Sequence, residues 1–143
     1  MTSHAPDPRL RPTSLAFVLS ALLAGFMLYL AWFGGLHALD AARGFGVELA
    51  APLDAFYLHV KADRDLAIGA VLVALLIYRR PTPLLLTVSA LCIAPILDCA
   101  LVAARGRLGY ALAVHGSAAA FGFVLIALLA RARRRTGDTS MVP

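Results

Sequence analysis

Hydrophobic and polar positions along this chain fall into long blocks rather than short periods. Leu15–Phe33 is an apolar run of 19 residues, long enough to cross a hydrocarbon core of about 30 Å as a helix. It exceeds the 7–15-residue apolar core usual for a signal peptide, and no small-x-small cleavage site follows it, so it reads as a retained span. Residues 34–61 mix Asp40, Arg43, Gly44, Gly46, Glu48, Pro52 and Asp54 with Leu36, Leu39, Phe45, Val47, Leu49, Phe56, Tyr57 and Val60. Such a stretch is too polar to span and suits short amphipathic pieces lying in the membrane interface. Pro52 followed by Asp54 marks a helix start. The next apolar run, Leu66–Tyr78, has 13 residues and cannot span alone. Its helix must draw in Tyr57–Asp65, and with it Lys61, Asp63, Arg64 and Asp65. Arg79-Arg80-Pro81-Thr82-Pro83 is a stop and turn. Leu84–Ala104 is a third span, interrupted by Pro95 and Asp98; Arg105-Gly106-Arg107 turns the chain, and Leu108–Ala130 is a fourth. No period-2 pattern suggests a barrel, and no internal repeat is visible.

The expected fold is therefore all-α: an integral membrane four-helix bundle, residues 15–130, with an interfacial loop between the first and second spans. It is flanked by a short cytoplasmic tail (1–14, carrying Pro6, Pro8, Pro12, Arg9 and Arg11) and a basic cytoplasmic tail (131–143). Composition agrees. Of the 143 residues, 61% are hydrophobic and 15% charged, against about 45–50% apolar in soluble domains, and the mean hydropathy is +0.82. The net charge of +5 comes mainly from flanking arginines such as Arg131, Arg133, Arg134 and Arg135, which suit anionic headgroups. No aromatic residues interleave with them, so nucleic acid is not an expected partner. Eight of the 13 Lys and Arg fall on the side of the two termini and five on the other, which places both termini in the cytoplasm. Alanine, leucine and arginine richness with a single lysine points to a GC-rich bacterial genome, hence a bacterial inner membrane. Cys92 and Cys99 lie seven apart, about 10 Å along a helix, too far for a disulfide. No C-x-x-C pattern is present.

Candidate chemistry comes from ionisable groups inside apolar segments, where an unpaired charge is expensive. Counted from the cytoplasmic end at 1.5 Å per residue, Asp65 and Asp98 each lie about 21 Å up, His115 about 24 Å and Tyr29 about 22 Å. Arg64 keeps its proton and calls for a carboxylate, with Asp65 or Asp98 as the expected partner. His115 beside a carboxylate is suited to carry a proton. Pro95 should kink the third span near Asp98. Ala111, His115, Ala118, Ala119 and Gly122 share a face whose small side chains permit close approach or leave room for a ligand. Two readings follow. Arg64, Asp65, Asp98, His115 and Tyr29 anchor a lipophilic ligand, such as a quinone or lipid, or clamp the helices together. Alternatively, Asp65, Asp98 and His115 are catalytic groups of a membrane enzyme doing acid/base chemistry on a lipophilic substrate, an isomerase or epoxide-opening hydrolase. Lys61 and Asp63 are expected to snorkel to water. His37 and His59 lie in the loop, leaving His115 as the one deep histidine, which disfavours bis-histidine haem. With no nucleotide loop or zinc motif, no metal and no cofactor are expected. Membrane lipid is the expected partner.

The segment Lys61-Ala62-Asp63-Arg64-Asp65-Leu66-Ala67-Ile68-Gly69 resembles the G-x-R-D-L-x-x-G segment that opens the second span in a family of small four-span membrane proteins of unknown function. That family tends to carry an aspartate in the third span and a histidine early in the fourth. The corresponding positions here are Arg64, Asp65, Gly69, Asp98 and His115, with Ala62 where a glycine is common. More distantly, the layout is similar to DoxX-like four-helix membrane proteins, some linked with quinol oxidation. The resemblance implies a fold over about residues 15–130 and no activity.

Overall fold

The computed structural model describes residues 9–44, 49 and 52–137. The expectations for the tail before Arg9, for Phe45, Val47 and Glu48 in the loop, and for the tail beyond Gly137 lie outside the described residues. The described residues are helical, with no strand among them: α1 (Leu15–Leu36), α2 (Ala38–Gly44), a 3-10 turn (Pro52–Ala55), α3 (Phe56–Tyr78), α4 (Pro81–Leu91), α5 (Ile93–Ala104), α6 (Leu108–Tyr110), a π-helical segment (Ala111–Gly116) and α7 (Ser117–Gly137). Three helical stretches are long and apolar enough to cross a membrane: Leu15–Leu36, Pro81–Ala104 and Leu108–Arg134, with mean hydropathies of 2.1, 2.2 and 2.1. The protein is membrane-embedded on this ground. Leu22, Phe26, Leu86, Leu101 and Phe123 are all exposed, a display that a hydrocarbon solvent explains and water does not. The second expected span behaves differently. Its apolar run does draw in the preceding polar stretch, and α3 is one 23-residue helix. It matches α1 in length, but Lys61, Asp63, Arg64 and Asp65 keep it outside the apolar set.

The chain divides into two compact units, one formed by Met1–Ser20 with Leu75–Pro143 and one by Ala21–Ala74. We call them the C-terminal unit and the central unit. In the central unit, small residues let α1 and α3 approach closely. A Cβ at Gly69 would lie 2.7 Å from Leu28 Cδ2 and 3.3 Å from the Leu28 amide nitrogen, and one at Gly34 would sit 3.4 Å from Ala62 Cβ. In a lipid solvent such packing, not apolar burial, is what holds helices together. Ala38, Ala42, Ala55 and Leu58, with Ala41 and Leu49 beside them, form a small core that fastens α2 to the 3-10 turn. The expected helix start at Pro52 is this turn, running directly into α3.

In the C-terminal unit, α4 and α5 fold back on α6, the π segment and α7. Leu84, Val88, Leu125 and Leu129 are buried to within 1% where α4 meets α7. Gly122 is the closest point, because any Cβ there would collide with Cys92 Sγ. The third span breaks between α4 and α5 at Cys92, three residues before Pro95, as a proline that cannot donate in the helix ladder requires. Two turns need left-handed backbone. Gly106 (φ 79°) closes the α5–α6 turn, a conformation glycine adopts freely. Arg79 (φ 55°) ends α3 in the position usually held by glycine, at a cost of about 1–2 kcal/mol for a side chain. Its carbonyl accepts a hydrogen bond from the Leu10 amide at 2.7 Å. The buried Leu10 thus ties the segment before α1 to the α3–α4 turn.

Candidate functional site

The C-terminal unit brings Asp98 and His115 together. Asp98 sits on α5, and His115 is the fifth residue of the π segment. Asp98 Oδ2 lies 3.9 Å from His115 Nδ1, with side-chain exposures of 40% for the carboxylate and 10% for the imidazole. That is within ion-pair range and beyond a direct hydrogen bond. Local chemistry supports the widened turn that carries His115. Ser117 Oγ donates to the carbonyls of Ala113 at 2.6 Å and Val114 at 3.0 Å, the kind of side-chain bond that competes with the regular helix ladder. Across the interface, Cys99 Sγ donates to the Ala111 carbonyl at 3.4 Å. Single π turns inside α-helices recur at functional sites. On the side toward the α5–α6 turn, the Tyr110 ring meets the His115 ring edge-on at 6.4 Å, and the Arg107 guanidinium lies over Tyr110 at 4.6 Å. A row of Arg107, Tyr110, His115 and Asp98 thus leads from the exposed turn to the buried imidazole. It offers a cation, an aromatic face, an imidazole and a half-exposed acceptor.

The central unit holds the other candidates, arranged differently from expectation. Asp65 is buried, and its carboxylate pairs with Lys61 Nζ at 2.5 Å. The expected Arg64–Asp65 pair is not made: Arg64 is exposed, and its Nε donates to the Val60 carbonyl at 3.4 Å. The reason is helical geometry. Residues four apart stack on one face, whereas neighbours diverge by about 100°. Lys61 is therefore drawn onto Asp65 instead of reaching away from it. Tyr29 is half exposed and belongs to an aromatic ladder along α1, with ring centroids 6.5 Å from Phe26, 6.1 Å from Trp32 and 5.8 Å from Phe33.

Lys61, Cys99, Tyr110 and Arg107 were not among the sequence candidates. Lys61 was legible from the four-residue spacing to Asp65. Tyr110 and Arg107 carried no signal, because their bearing on His115 depends on the π segment. Among the described residues, no group of three or more His, Cys, Asp or Glu is arranged to hold a metal ion.

The model of one family, described as Domain of unknown function (DUF4267), matches residues 24–139, and the chain belongs to that family. An uncharacterised family is the part of the resemblance read from the sequence that this match supports. No curated protein and no solved structure matches the chain.

Proposed function

We propose that this DUF4267 protein is a four-span bacterial inner-membrane protein whose Asp98–His115 pair holds the polar head of a lipophilic ligand. The observation that carries the reading is the pair itself: a buried imidazole and a half-exposed carboxylate 3.9 Å apart, inside two of the apolar helices. A clamp serves best when its two groups touch. At this separation a third polar atom, a ligand hydroxyl or carbonyl oxygen, can bridge them. The π segment adds support, since it breaks the helix ladder at the histidine. The fourth crossing is α3, which spans about 35 Å by its length and offsets two of its charges within the Lys61–Asp65 pair. Four crossings put both termini on the cytoplasmic side favoured by the positive charges.

A second reading, acid/base catalysis on a lipophilic substrate, has one observation in its favour. Asp98 faces Nδ1, the position from which a carboxylate orients an imidazole for proton transfer at Nε2. Mass spectrometry of lipophiles that copurify with the protein, wild type against Asp98→Leu and His115→Leu, tests the first reading. An identical lipophile profile in all three sinks it. Reporter fusions after Pro143, Arg80 and Gly106 test the topology; Arg80 and Gly106 on the same side overturn the four-span count.

A further inference from the structure

Three arginine-bearing stretches, distant in sequence, meet at one end of the C-terminal unit. The Leu10–Arg79 hydrogen bond at 2.7 Å and the burial of Leu10 lay the strap carrying Arg9 and Arg11 on the turn carrying Arg79 and Arg80. The third stretch arrives through α7. Gly122 packs on Cys92, and α7 runs antiparallel to α4. Eleven residues from that point toward this end reach Pro81 on one helix and Arg133 on the other, with Arg131 and Arg134 beside it. Arg9, Arg11 and Arg80 are exposed, as are the three arginines of α7.

We infer that this end is a binding site for anionic phospholipid, recognised through its headgroup phosphate. The position supplies the partner: two apolar crossings end here, so the arginines lie at the headgroup layer. The residue type supplies the chemistry, because a guanidinium fork matches phosphate oxygens bidentately where an ammonium offers only a point charge. All the cations here are arginine. A topology signal needs charge in the flanking loops and nothing more. Here a tertiary hydrogen bond holds a tail segment against the turn, and Arg79 keeps a side chain in a backbone conformation that favours glycine. Both features are needed to build a surface and are superfluous for a charge count. The inference is independent of the Asp98–His115 reading.

The test is native mass spectrometry and titration of the full chain in zwitterionic detergent with phosphatidylglycerol, phosphatidylcholine and free glycerol phosphate. Phosphatidylglycerol is expected to stay bound in preference to phosphatidylcholine. Glycerol phosphate at the same concentration is expected not to displace it. The Arg9→Gln/Arg11→Gln variant should bind phosphatidylglycerol roughly twentyfold more weakly, at about fivefold per arginine near the headgroups. The Arg9→Lys/Arg11→Lys variant should recover only part of that loss. Arg105→Gln, a single charge change at the opposite end of the unit, should leave affinity within about twofold, the size of a long-range charge effect screened by salt, against about fivefold for Arg9→Gln alone. Equal binding of the two lipids overturns the inference. So does displacement by glycerol phosphate, or an equal loss in Arg105→Gln and Arg9→Gln.

Discussion

The two units each set an acidic group beside a basic one, burying the carboxylate in the central unit and the imidazole in the C-terminal unit, and they do so in different ways. In the central unit, Lys61 and Asp65 stand four residues apart on one helix, in direct contact at 2.5 Å. In the C-terminal unit, Asp98 and His115 come from two helices across a turn, 3.9 Å apart, with a distorted helix under the histidine. The first pair is made between two residues of a single helix. The second exists only if α5, the π segment and their packing are all in place. A charge pair formed locally neutralises a cost of burial. A pair assembled from two helices is what a site requires.

The sharpest way to break this comparison is to remove each pair and follow bound lipophile. His115→Leu or Asp98→Leu is expected to lower copurified ligand at least roughly tenfold, as loss of a hydrogen bond to a charged group does. Lys61→Met with Asp65→Leu should leave ligand retention within about twofold, a change below 0.5 kcal/mol. Equal losses in both would erase the distinction. The next largest effect concerns packing. Gly122→Val drives a side chain into Cys92 and is expected to destabilise the protein by about 1–3 kcal/mol. Adding Cys92→Ala should recover part of that loss. Gly69→Ala in the central unit should cost less, because flexible atoms of Leu28 can give way. Unfolding transitions in detergent, monitored by circular dichroism, rank the three.

Smaller effects refine the contrast between the pairs. A double-mutant cycle on Asp98 and His115 should give a coupling of about 0.6 kcal/mol, typical of intramembrane polar contacts. The Lys61–Asp65 cycle should give about 0.2–0.5 kcal/mol, falling as salt is raised while the first holds steady. Arg64→Gln, which removes no carboxylate partner, should shift stability by less than about 0.5 kcal/mol. A larger loss would restore Arg64 to the centre of a clamp.

What the sequence made legible follows the range of the interactions involved. Apolar runs report helix length directly, so Leu15–Leu36, the Pro81–Ala104 pair of helices and the turn at Arg105–Arg107 were readable to within a few residues. Pro95 announced the break between α4 and α5. Counting depth along the spans named Asp98 and His115 together with Asp65 and Tyr29; the short turn between the third and fourth spans is what made the first two expected neighbours. Local spacing also held the Lys61–Asp65 pair, but the adjacent Arg64-Asp65 letters drew attention to a contact that a helix does not make. Other features had no local sign. The π segment depends on Ser117 taking up carbonyls and on the fit against α5. The Cys99 bond to Ala111 and the Tyr110 ring on His115 depend on that segment. The tie between Leu10 and Arg79 joins positions almost seventy residues apart, and no periodicity reaches so far.

The π segment has one further implication. It amounts to a helix carrying one residue more than its turns accommodate. Deleting Ala113 would return Ala111–Gly116 to ordinary α-helix, leaving α7 and its contact at Gly122 and Cys92 where they are. Residues 107–112 would swing by about 100° around the axis, carrying Tyr110 and Arg107 off the imidazole. Packing and site are thus separately heritable in this stretch. A shortened chain that still folds but has lost its row of polar groups would separate the two.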